Sequence, residues 1–209
     1  MTQKTKDPFA VYSPNPLLIV ISGPSGVGKD SVLAEMQSRG LPFHFVITAT
    51  TRDPRPGEED GVDYFFLSED DFARMIDEGE LLEYAVVYQD YKGIPKDQVR
   101  QALDSGKHVI MRIDVQGAAT IRKLAGDALL IFLTPETEIE LVDRLKKRKT
   151  ETKESLNLRI ATARQEMKKI DIFDYVVVNR EDELDKTVDT IEAIIKAEQH
   201  RIQQREVDL

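Results

Sequence analysis

The sequence of 209 residues contains no cysteine. It therefore has neither a disulfide framework nor a cysteine-ligated metal site, and this absence favours a reducing compartment, so we expect a cytoplasmic protein. No apolar run approaches the ~20 residues that a membrane-spanning helix needs, which predicts no association with a membrane. Residues 1–16 are polar, contain three prolines and lack the features of a signal or transit peptide, so they are predicted to form a flexible tail.

Basic residues are in the minority, with 29 Lys and Arg against 38 Asp and Glu and a net charge of −9. This balance disfavours a nucleic-acid-binding protein, which normally presents excess positive charge. The bases are nevertheless clustered, at Arg52 and Arg55 and within residues 144–153. An acidic chain with local basic clusters indicates a small anionic substrate held in a cleft. The alternative for any single cluster is a solvated helix face.

The remaining chain alternates between strand and helix patterns. Its length suits one domain, or one core with an insertion. The alternation predicts an α/β fold with a parallel sheet covered by helices on both faces. A helix is predicted to open at Thr134-Pro135, and the short strands between residues 45 and 87 predict an inserted subdomain. The predicted strands are 17–21, 45–50, 64–67, 81–87, 108–113, 129–133 and 175–178.

A glycine-rich segment follows the first predicted strand and precedes a helix, the context that a P-loop requires. Its glycines let successive backbone N–H groups turn toward one anion. The helix N-terminus adds partial positive charge, and the lysine reaches the β- and γ-phosphates of a nucleotide. The alternative, a simple glycine-rich turn, is disfavoured by the spacing and the flanking elements. The segment reads Gly23-Pro24-Ser25-Gly26-Val27-Gly28-Lys29.

The residue after the lysine departs from the P-loop pattern, which has Ser or Thr there to meet Mg²⁺. This chain has Asp30, followed by Ser31. A carboxylate also binds Mg²⁺, but it can equally point away and stabilise the helix N-terminus electrostatically. Both interpretations stay open at this point, so Asp30 and Ser31 are both candidate metal ligands.

Several further segments resemble those of guanylate kinases. The segments TRDPRPGE at 51–58 and GVDYFF at 61–66 resemble the part of that family that binds the nucleoside monophosphate. LEYA at 82–85 resembles its strand with the guanine-reading carboxylate, and IDVQG at 113–117 its Walker-B-like turn. RKTE at 148–151 with Arg159 resembles its lid, and VVVN at 176–179 its last strand. The resemblance runs in family order from residue 17 to about 197, and is closest to the branch that includes plant organellar enzymes, which share GPSGVGKD and DYKGIPK.

The resemblance implies a P-loop fold of three layers with a parallel-sheet core at 17–44 and 97–209, a mixed-β GMP-binding insertion at about 45–96 and a short lid at about 148–155. It also implies transfer of the γ-phosphoryl group of MgATP to GMP, with Mg²⁺ as cofactor. The implied ATP-binding residues are 23–31 and Asn179. The implied GMP-binding residues are Thr48, Arg52, Arg55, Tyr64, Glu83, Lys92 and Asp114. Catalysis is assigned to Lys29, Arg55, Arg148 and Arg159, and metal binding to Asp30, Ser31 and Asp114.

Elementary chemistry supports three of these assignments. Arg52 and Arg55 lie in a proline-rich loop, which suits a rigid bidentate clamp on a phosphate. Glu83 interrupts an apolar run, and a carboxylate can accept both the N1–H and the N2–H donors of guanine, whereas adenine has an acceptor at N1. A site that demands such hydrogen bonds rejects the wrong base strongly. The alternative for Glu83 is a strand residue facing solvent.

Three residues depart from the family pattern. Lys92 and Ile94 stand where most members have a tyrosine and a Ser or Thr, and Arg112 replaces an acid. Lys92 is interpreted as holding the GMP phosphate by charge, and Asp114 remains as the one acid of that turn. We interpret these changes as a variant active site. Two alternatives stay open: a kinase for another nucleoside monophosphate, and a catalytically silent peptide-binding module, which the retained P-loop glycines and lysine disfavour.

Overall fold

The computed structural model describes residues 12–87, 89–147 and 153–209, with the side chains of Lys147 and Lys153 left aside. Within these ranges the chain forms nine strands, seven α-helices and one short 3₁₀ helix, Ile170–Ile172. None of the helices in the described part is long and apolar enough to cross a membrane. The helices are α1 Lys29–Ser38, α2 Glu69–Asp77, α3 Lys96–Asp104, α4 Val115–Leu124, α5 Glu138–Lys147, α6 Lys153–Met167 and α7 Leu184–Gln199.

The strands belong to two sheets. The larger sheet has five parallel strands in the order β2-β7-β1-β8-β9. The smaller sheet has four strands in the order β4-β3-β6-β5 and mixes parallel and antiparallel pairs. The strands are β1 Leu18–Ser22, β2 Phe43–Phe45, β3 Thr48–Thr50, β4 Tyr64–Phe66, β5 Leu81–Val87, β6 Asp90–Pro95, β7 His108–Arg112, β8 Leu129–Thr134 and β9 Tyr175–Val178.

Strand β1 lies at the centre of the larger sheet and is apolar along both faces. Ile19 and Ile21 pack in one core cluster with α1 and α7, through residues such as Met36 and Ile191. Leu18 and Val20 pack in a second cluster with α3 and α4. A parallel strand that is buried on both faces has this continuous apolar sequence. The predicted three-layer α/β fold with a parallel core is therefore confirmed.

The smaller sheet is built by the chain between β2 and α3. Helix α2 covers it by inserting Phe72, which is fully buried against Ala49 and Leu81. Ser68 is the N-cap residue of this helix, since its Oγ accepts a hydrogen bond from the Asp71 N–H at 3.1 Å. The mixed-β insertion is thus a second sheet beside the parallel one, and its Leu82 and Ile94 pack into the second core cluster.

The single strand predicted over residues 45–50 is wrong, because the chain changes sheets within it. The Val46 N–H still bonds to the Ile110 carbonyl in the larger sheet. At Ile47 the backbone instead pairs with the side chain of Gln98, which accepts at 2.9 Å and donates at 2.7 Å. The next strand, β3, already belongs to the smaller sheet. Apolar sequence alone does not reveal such a transfer.

One additional strand and the start of one helix also differ from the prediction. Strand β6 was not predicted, because Gly93 and Pro95 are poor strand formers, but Pro95 is its last residue, where proline is tolerated. Helix α5 begins at Glu138, not at Thr134-Pro135, since Thr134 still pairs with Val178 in the sheet. Near the N-terminus, the last part of the predicted flexible tail contacts the C-terminal segment, because Asn15 forms hydrogen bonds with Gln204 and Arg205.

Candidate active site

A cavity of about 400 Å³ opens where β1 and β7 end, between the larger sheet, the smaller sheet and α6. Ligands bind to open α/β sheets at such carboxyl ends of the strands. One side of the cavity, called here the loop side, is formed by residues 25–30 after β1. The opposite side, called the insertion side, is formed by residues of β3, β4, β5 and β6.

The glycines of the loop side are required by its conformation. Gly23 has φ 144° and Gly28 has φ 99°, values that favour glycine. A Cβ at Gly23 would lie 2.2 Å from the carbonyl oxygen of Leu133, and one at Gly28 would lie 2.5 Å from Nδ2 of Asn179. Neither space admits a side chain. The loop therefore has the P-loop form that the sequence predicts, directly before the N-terminus of α1.

The back of the loop is hydrogen-bonded to the end of β9. The carbonyl of Val27 accepts from Asn179 Nδ2 at 2.7 Å and from Arg144 Nη1 at 2.9 Å. Asn179 Oδ1 in turn accepts from the Thr187 hydroxyl at 3.1 Å. Asn179 is thus buried behind the loop and is not one of the residues that line the cavity. Here it holds the loop in place.

Lys29 lies at the floor of the cavity with its ammonium group turned back to the loop. Its Nζ donates to the carbonyls of Gly23 at 2.6 Å and Pro24 at 3.2 Å. Burial lowers the pKa of Lys29, and the nearby carboxylate of Glu166 opposes that effect. A cation in this position is available to an anion that enters the cavity.

Glu166 is a cavity residue that the sequence analysis missed. It lies on α6, and its Oε2 accepts from the backbone N–H of Ser25 at 3.3 Å. Burial raises the pKa of the Glu166 carboxyl group. Arg159, Thr162 and Glu166 share one helix face toward the cavity, and this spacing was a signal available in the sequence. Arg159 was predicted; Arg148 and residues 148–152 of the predicted lid lie outside the described residues.

Asp30 has a partner that neither sequence interpretation included. Its Oδ1 accepts from Arg112 Nη1 at 2.5 Å. Arg112 is the last residue of β7, which neighbours β1 in the larger sheet. Two departures from the family pattern, an acid after the P-loop lysine and a base in place of an acid, are therefore in contact with one another.

The insertion side gathers cations around one aromatic ring. The guanidinium carbons of Arg52 and Arg112 each lie 4.9 Å from the ring centroid of Tyr64, and Nζ of Lys92 lies 5.7 Å from it. Arg55 also lines this side. Burial, together with the nearby guanidinium of Arg112, lowers the pKa of Lys92 to about 8. Such clustering of like charges points to an anion as the ligand.

Arg52 is the predicted phosphate ligand whose position differs most from expectation. Its two terminal nitrogens bond to the two carboxylate oxygens of Glu58 at 2.8 and 2.9 Å. It is not among the residues that line the cavity. The structure therefore places Arg52 as a support of the loop that carries Arg55. Ile94, the other departure on this side, is fully buried in the second core cluster, where an apolar side chain is required.

Glu83 is buried, with an exposed fraction of 5%, and it lines the cavity. A β-bulge between Leu81 and Glu83 shifts the register of β5, and bulges commonly redirect side chains beside active sites. The solvent-facing alternative is therefore wrong. The carboxylate lies against Gly117, where a Cβ would be 2.6 Å from Oε2, so only glycine leaves it room.

Two residues that line the insertion side each have a buried oxygen without a hydrogen-bond partner among the described residues. These oxygens are Oε2 of Glu83 and Oγ1 of Thr48; Nε of Arg52, which does not line the cavity, also lacks a partner. Burial, and next the negative charge of Asp114, raise the pKa of Glu83 to about 8. A buried carboxyl group without a partner is costly unless a ligand supplies one. These atoms therefore mark where a hydrogen-bonding ligand fits.

Of the predicted metal ligands, Asp30 and Asp114 line the cavity and Ser31 is exposed outside it. Asp114 Oδ1 also caps α4 by accepting from the Gly117 N–H at 2.8 Å. Among the described residues, no three His, Cys, Asp or Glu side chains form a metal-binding group. Two carboxylates fit a Mg²⁺ ion that takes its other ligands from substrate phosphates and water.

Most of the predicted site residues are brought together. Those that line the cavity are Ser25, Gly26, Gly28, Lys29, Asp30, Thr48, Arg55, Tyr64, Glu83, Lys92, Asp114 and Arg159. Those that lie outside the lining are Gly23, Pro24, Val27, Ser31, Arg52 and Asn179.

The P-loop lies at the carboxyl end of a parallel sheet and faces the basic residues of the insertion side across one cavity. This arrangement defines a P-loop nucleotide-binding protein in which a second phosphorylated ligand can bind opposite the first. The guanylate kinase family model matches residues 15–198. The chain belongs to the guanylate kinase family.

Individual relatives agree with the family assignment. The chain is 51% identical over 197 residues to guanylate kinase 2, chloroplastic/mitochondrial, of Oryza sativa, a match that covers 94% of this chain and 69% of the rice protein. It is 43% identical to guanylate kinase of Latilactobacillus sakei, covering 89% and 91% of the two chains. The crystal structure of guanylate kinase from Anaplasma phagocytophilum matches with a TM-score of 0.73 and 27% identity, over 92% and 90% of the two chains.

Proposed function

We propose that this protein transfers the γ-phosphoryl group of ATP to GMP, giving ADP and GDP. The observation that carries the proposal is the buried, unpartnered carboxyl group of Glu83 beside unpartnered Thr48, in the same cavity as the P-loop. Membership of the guanylate kinase family supports it.

Glu83 selects the base in this proposal. The Glu83 carboxylate accepts from N1–H and N2–H of guanine, and the Thr48 hydroxyl, which lines the same cavity, contacts the same ring system. Adenine would place its N1 acceptor against the carboxylate and leave a buried group unpaired, which a site of this kind rejects. The bulge in β5 and the glycine at position 117 hold Glu83 in that position.

The acceptor phosphate is held by the cations of the insertion side. Arg55, Lys92 and the Tyr64 hydroxyl bind it, and Arg52 stiffens the loop through Glu58. A phosphate monoester has its second pKa near ~6 and is largely dianionic at pH 7, so no strong general base is needed. Catalysis then consists of positioning and charge neutralisation.

ATP is held by the loop side. The backbone N–H groups of the P-loop and Lys29 bind its β- and γ-phosphates, which displaces the Lys29 ammonium from the carbonyls of Gly23 and Pro24. Arg159, and Arg148 by resemblance, approach the transferring group from α6 and the lid. Asn179 supports the loop from behind.

Asp30 and Asp114 are the residues that would hold Mg²⁺ together with the phosphates, and the ion would neutralise charge on the transferring group. If a carboxylate is the ligand, Asp30→Ala raises the Mg²⁺ concentration needed for half-maximal activity. Titration of Asp30→Ala and Ser31→Ala side by side measures this. An unchanged requirement in Asp30→Ala with a large rise in Ser31→Ala would contradict the assignment to Asp30.

A coupled assay of ADP formation with ATP and a panel of GMP, AMP and UMP tests the proposed function. We expect turnover with GMP and little with AMP or UMP. Preference for AMP or UMP would instead indicate a kinase for another monophosphate, and absence of turnover with binding of peptides would indicate the silent module. The cytoplasmic location stays a prediction, since the similar rice protein is named for chloroplasts and mitochondria.

A further inference from the structure

Arg112 occupies the junction between the two sides of the cavity. It is the last residue of β7, and in the parallel pairing of β7 with β1 it lies opposite Ile21, two residues before Gly23. Its side chain therefore emerges beside the phosphate loop, at the carboxyl edge of the sheet where phosphates bind. The same side chain reaches Tyr64 on the insertion side.

The contacts of Arg112 hold it at this junction. Nη1 donates to Asp30 in the first turn of α1 at 2.5 Å, and the guanidinium carbon lies 4.9 Å from the Tyr64 ring centroid. The side chain is 18% exposed. Among the residues that the structure describes, Asp30 is its one hydrogen-bonded partner. That bond uses one of the five N–H donors of a guanidinium group.

The surroundings of Arg112 are unfavourable for a purely structural cation. Lys92 lies over the same Tyr64 ring, with Nζ 5.7 Å from its centroid, and Lys29 lines the same cavity. A structural ion pair gains little from such neighbours, because like charges in a partly buried place repel one another. A dianionic or trianionic ligand would attract all three cations and offset their mutual repulsion. Asp114 and Glu166 also line the cavity, but among the described residues only Asp30 is hydrogen-bonded to Arg112, so the guanidinium keeps donors for such a ligand.

We propose that Arg112 binds phosphate oxygens of both nucleotides where they meet, and that Asp30 is a positioning residue that holds its guanidinium between the loop side and the insertion side. This inference rests on the proposed function. The planar guanidinium presents two parallel N–H donors to two oxygens at once, a fixed fork that the ammonium group of a lysine does not offer. The residue is specific to this variant of the site, because it stands where the resemblance leads one to expect an acid.

The competing role is that Arg112 only neutralises Asp30. A double-variant comparison separates the two roles, because removing both charges abolishes any need for neutralisation. We expect kcat of Arg112→Met to fall by about 10²-fold, the effect of losing one electrostatic donor. In Asp30→Asn/Arg112→Met we expect kcat to stay at least tenfold below that of Asp30→Asn alone, a comparison in which any loss of Mg²⁺ binding by Asp30 is common to both variants. Arg112→Lys should recover part of the activity.

A double variant with kcat within twofold of Asp30→Asn would overturn the proposal, since Arg112 would then serve only to neutralise Asp30. Arg74→Met is the matched control, because Arg74 is an exposed arginine that pairs with Glu78 on α2. Thermal unfolding of each variant checks that the fold is retained. A folded Arg112→Met variant with wild-type kcat would also overturn the proposal.

Calorimetric binding of a bisubstrate compound, adenosine and guanosine joined by five phosphates, provides a second measurement that does not depend on turnover. We expect its affinity, measured without Mg²⁺, to be at least tenfold lower in Asp30→Asn/Arg112→Met than in Asp30→Asn. Equal affinity for these two variants would overturn the role of Arg112 alone. If the two variants differ in this way but the wild-type protein does not phosphorylate GMP, the proposed function is contradicted and the binding role of Arg112 is supported.

Discussion

The two sides of the cavity differ in how completely their polar groups are paired. On the loop side, Val27 accepts two hydrogen bonds from behind, and Lys29 is bonded to two loop carbonyls. On the insertion side, Glu83 and Thr48 each have a buried oxygen without a partner among the described residues. No buried side-chain atom of residues 25–30 lacks a partner among the described residues, whereas the insertion side leaves two buried oxygens for a ligand to pair.

This difference separates rigidity from selectivity. A P-loop binds a group common to all nucleotides, so a preorganised cradle of backbone N–H groups is sufficient. Recognition of one base requires buried groups that are costly when unpaired, because the cost is what excludes the wrong base. The unpaired buried groups thus destabilise the insertion side until a ligand binds, whereas the loop side provides a stable framework.

The largest expected effect is on the loop side, with Lys29→Met. We expect kcat to fall by about 10²–10³-fold, because the variant lacks the charge that stabilises the transferring phosphoryl group. GMP binding, measured by calorimetry, should change little. Lys96→Met is a matched control, since Lys96 bonds through Nζ to the Gly79 carbonyl in an exposed position. Turnover of Lys29→Met at the wild-type rate would refute the assignment of the loop.

Glu83→Gln tests the insertion side in the same way. The amide keeps the shape but presents a donor to the donors of guanine, so kcat/KM for GMP should fall by about 10²-fold or more. KM for ATP should barely change. Glu80→Gln, at an exposed position three residues earlier, is the control. Unchanged GMP kinetics in Glu83→Gln would show that guanine is read elsewhere.

Asn179→Ala tests the loop side by removing the hydrogen bond from Asn179 to the Val27 carbonyl. The Val27 carbonyl loses one of its donors, and we expect the free energy of unfolding to fall by about 1–3 kcal/mol. If Asn179 acts by holding the loop, ATP and inorganic tripolyphosphate should lose affinity equally. A loss confined to ATP would instead indicate that Asn179 contacts the adenosine part of ATP, which tripolyphosphate lacks. Calorimetry with both ligands decides.

The next prediction concerns a pH dependence of the insertion side. The pKa of Glu83 is about 8 in the folded protein, above the usual ~4.3 of an exposed glutamate. The folded state therefore keeps a proton that the unfolded state loses, so this group's contribution to stability falls as pH rises from about 5 to about 8, by at most ~1.4 kcal/mol per unit. Denaturant unfolding should show this slope as the difference between the wild type and Glu83→Gln, because the other groups with shifted pKa values, such as Glu166 and His108, are present in both proteins.

The same raised pKa predicts proton release when GMP binds. Guanine requires the carboxylate, so at pH 7 most of one proton should leave Glu83 for each GMP bound. Calorimetry in buffers of different ionisation enthalpy measures this number. A wild-type protein that releases as few protons as Glu83→Gln would show that Glu83 is already ionised or does not meet the base.

Residues that are neighbours along the chain determined the loop side of the cavity and the parallel core sheet. Gly23 and Gly28, the apolar run of β1 and the N-terminus of α1 are adjacent along the chain, so local backbone chemistry is sufficient to specify a P-loop. The alternation of strands and helices likewise specified the parallel sheet. These features depend on neighbours a few residues apart, which a sequence shows directly.

Tertiary structure alone decided the insertion side and the junction. Glu83 is buried because of a bulge in β5 and a glycine on α4, and Asp30 meets Arg112 across 82 positions of the chain. Glu166 reaches Ser25 across 141. The transfer of the chain between sheets at residues 46–47 depends on Gln98, a distant side chain. Such contacts depend on packing between elements that are far apart in sequence, and no local pattern encodes them.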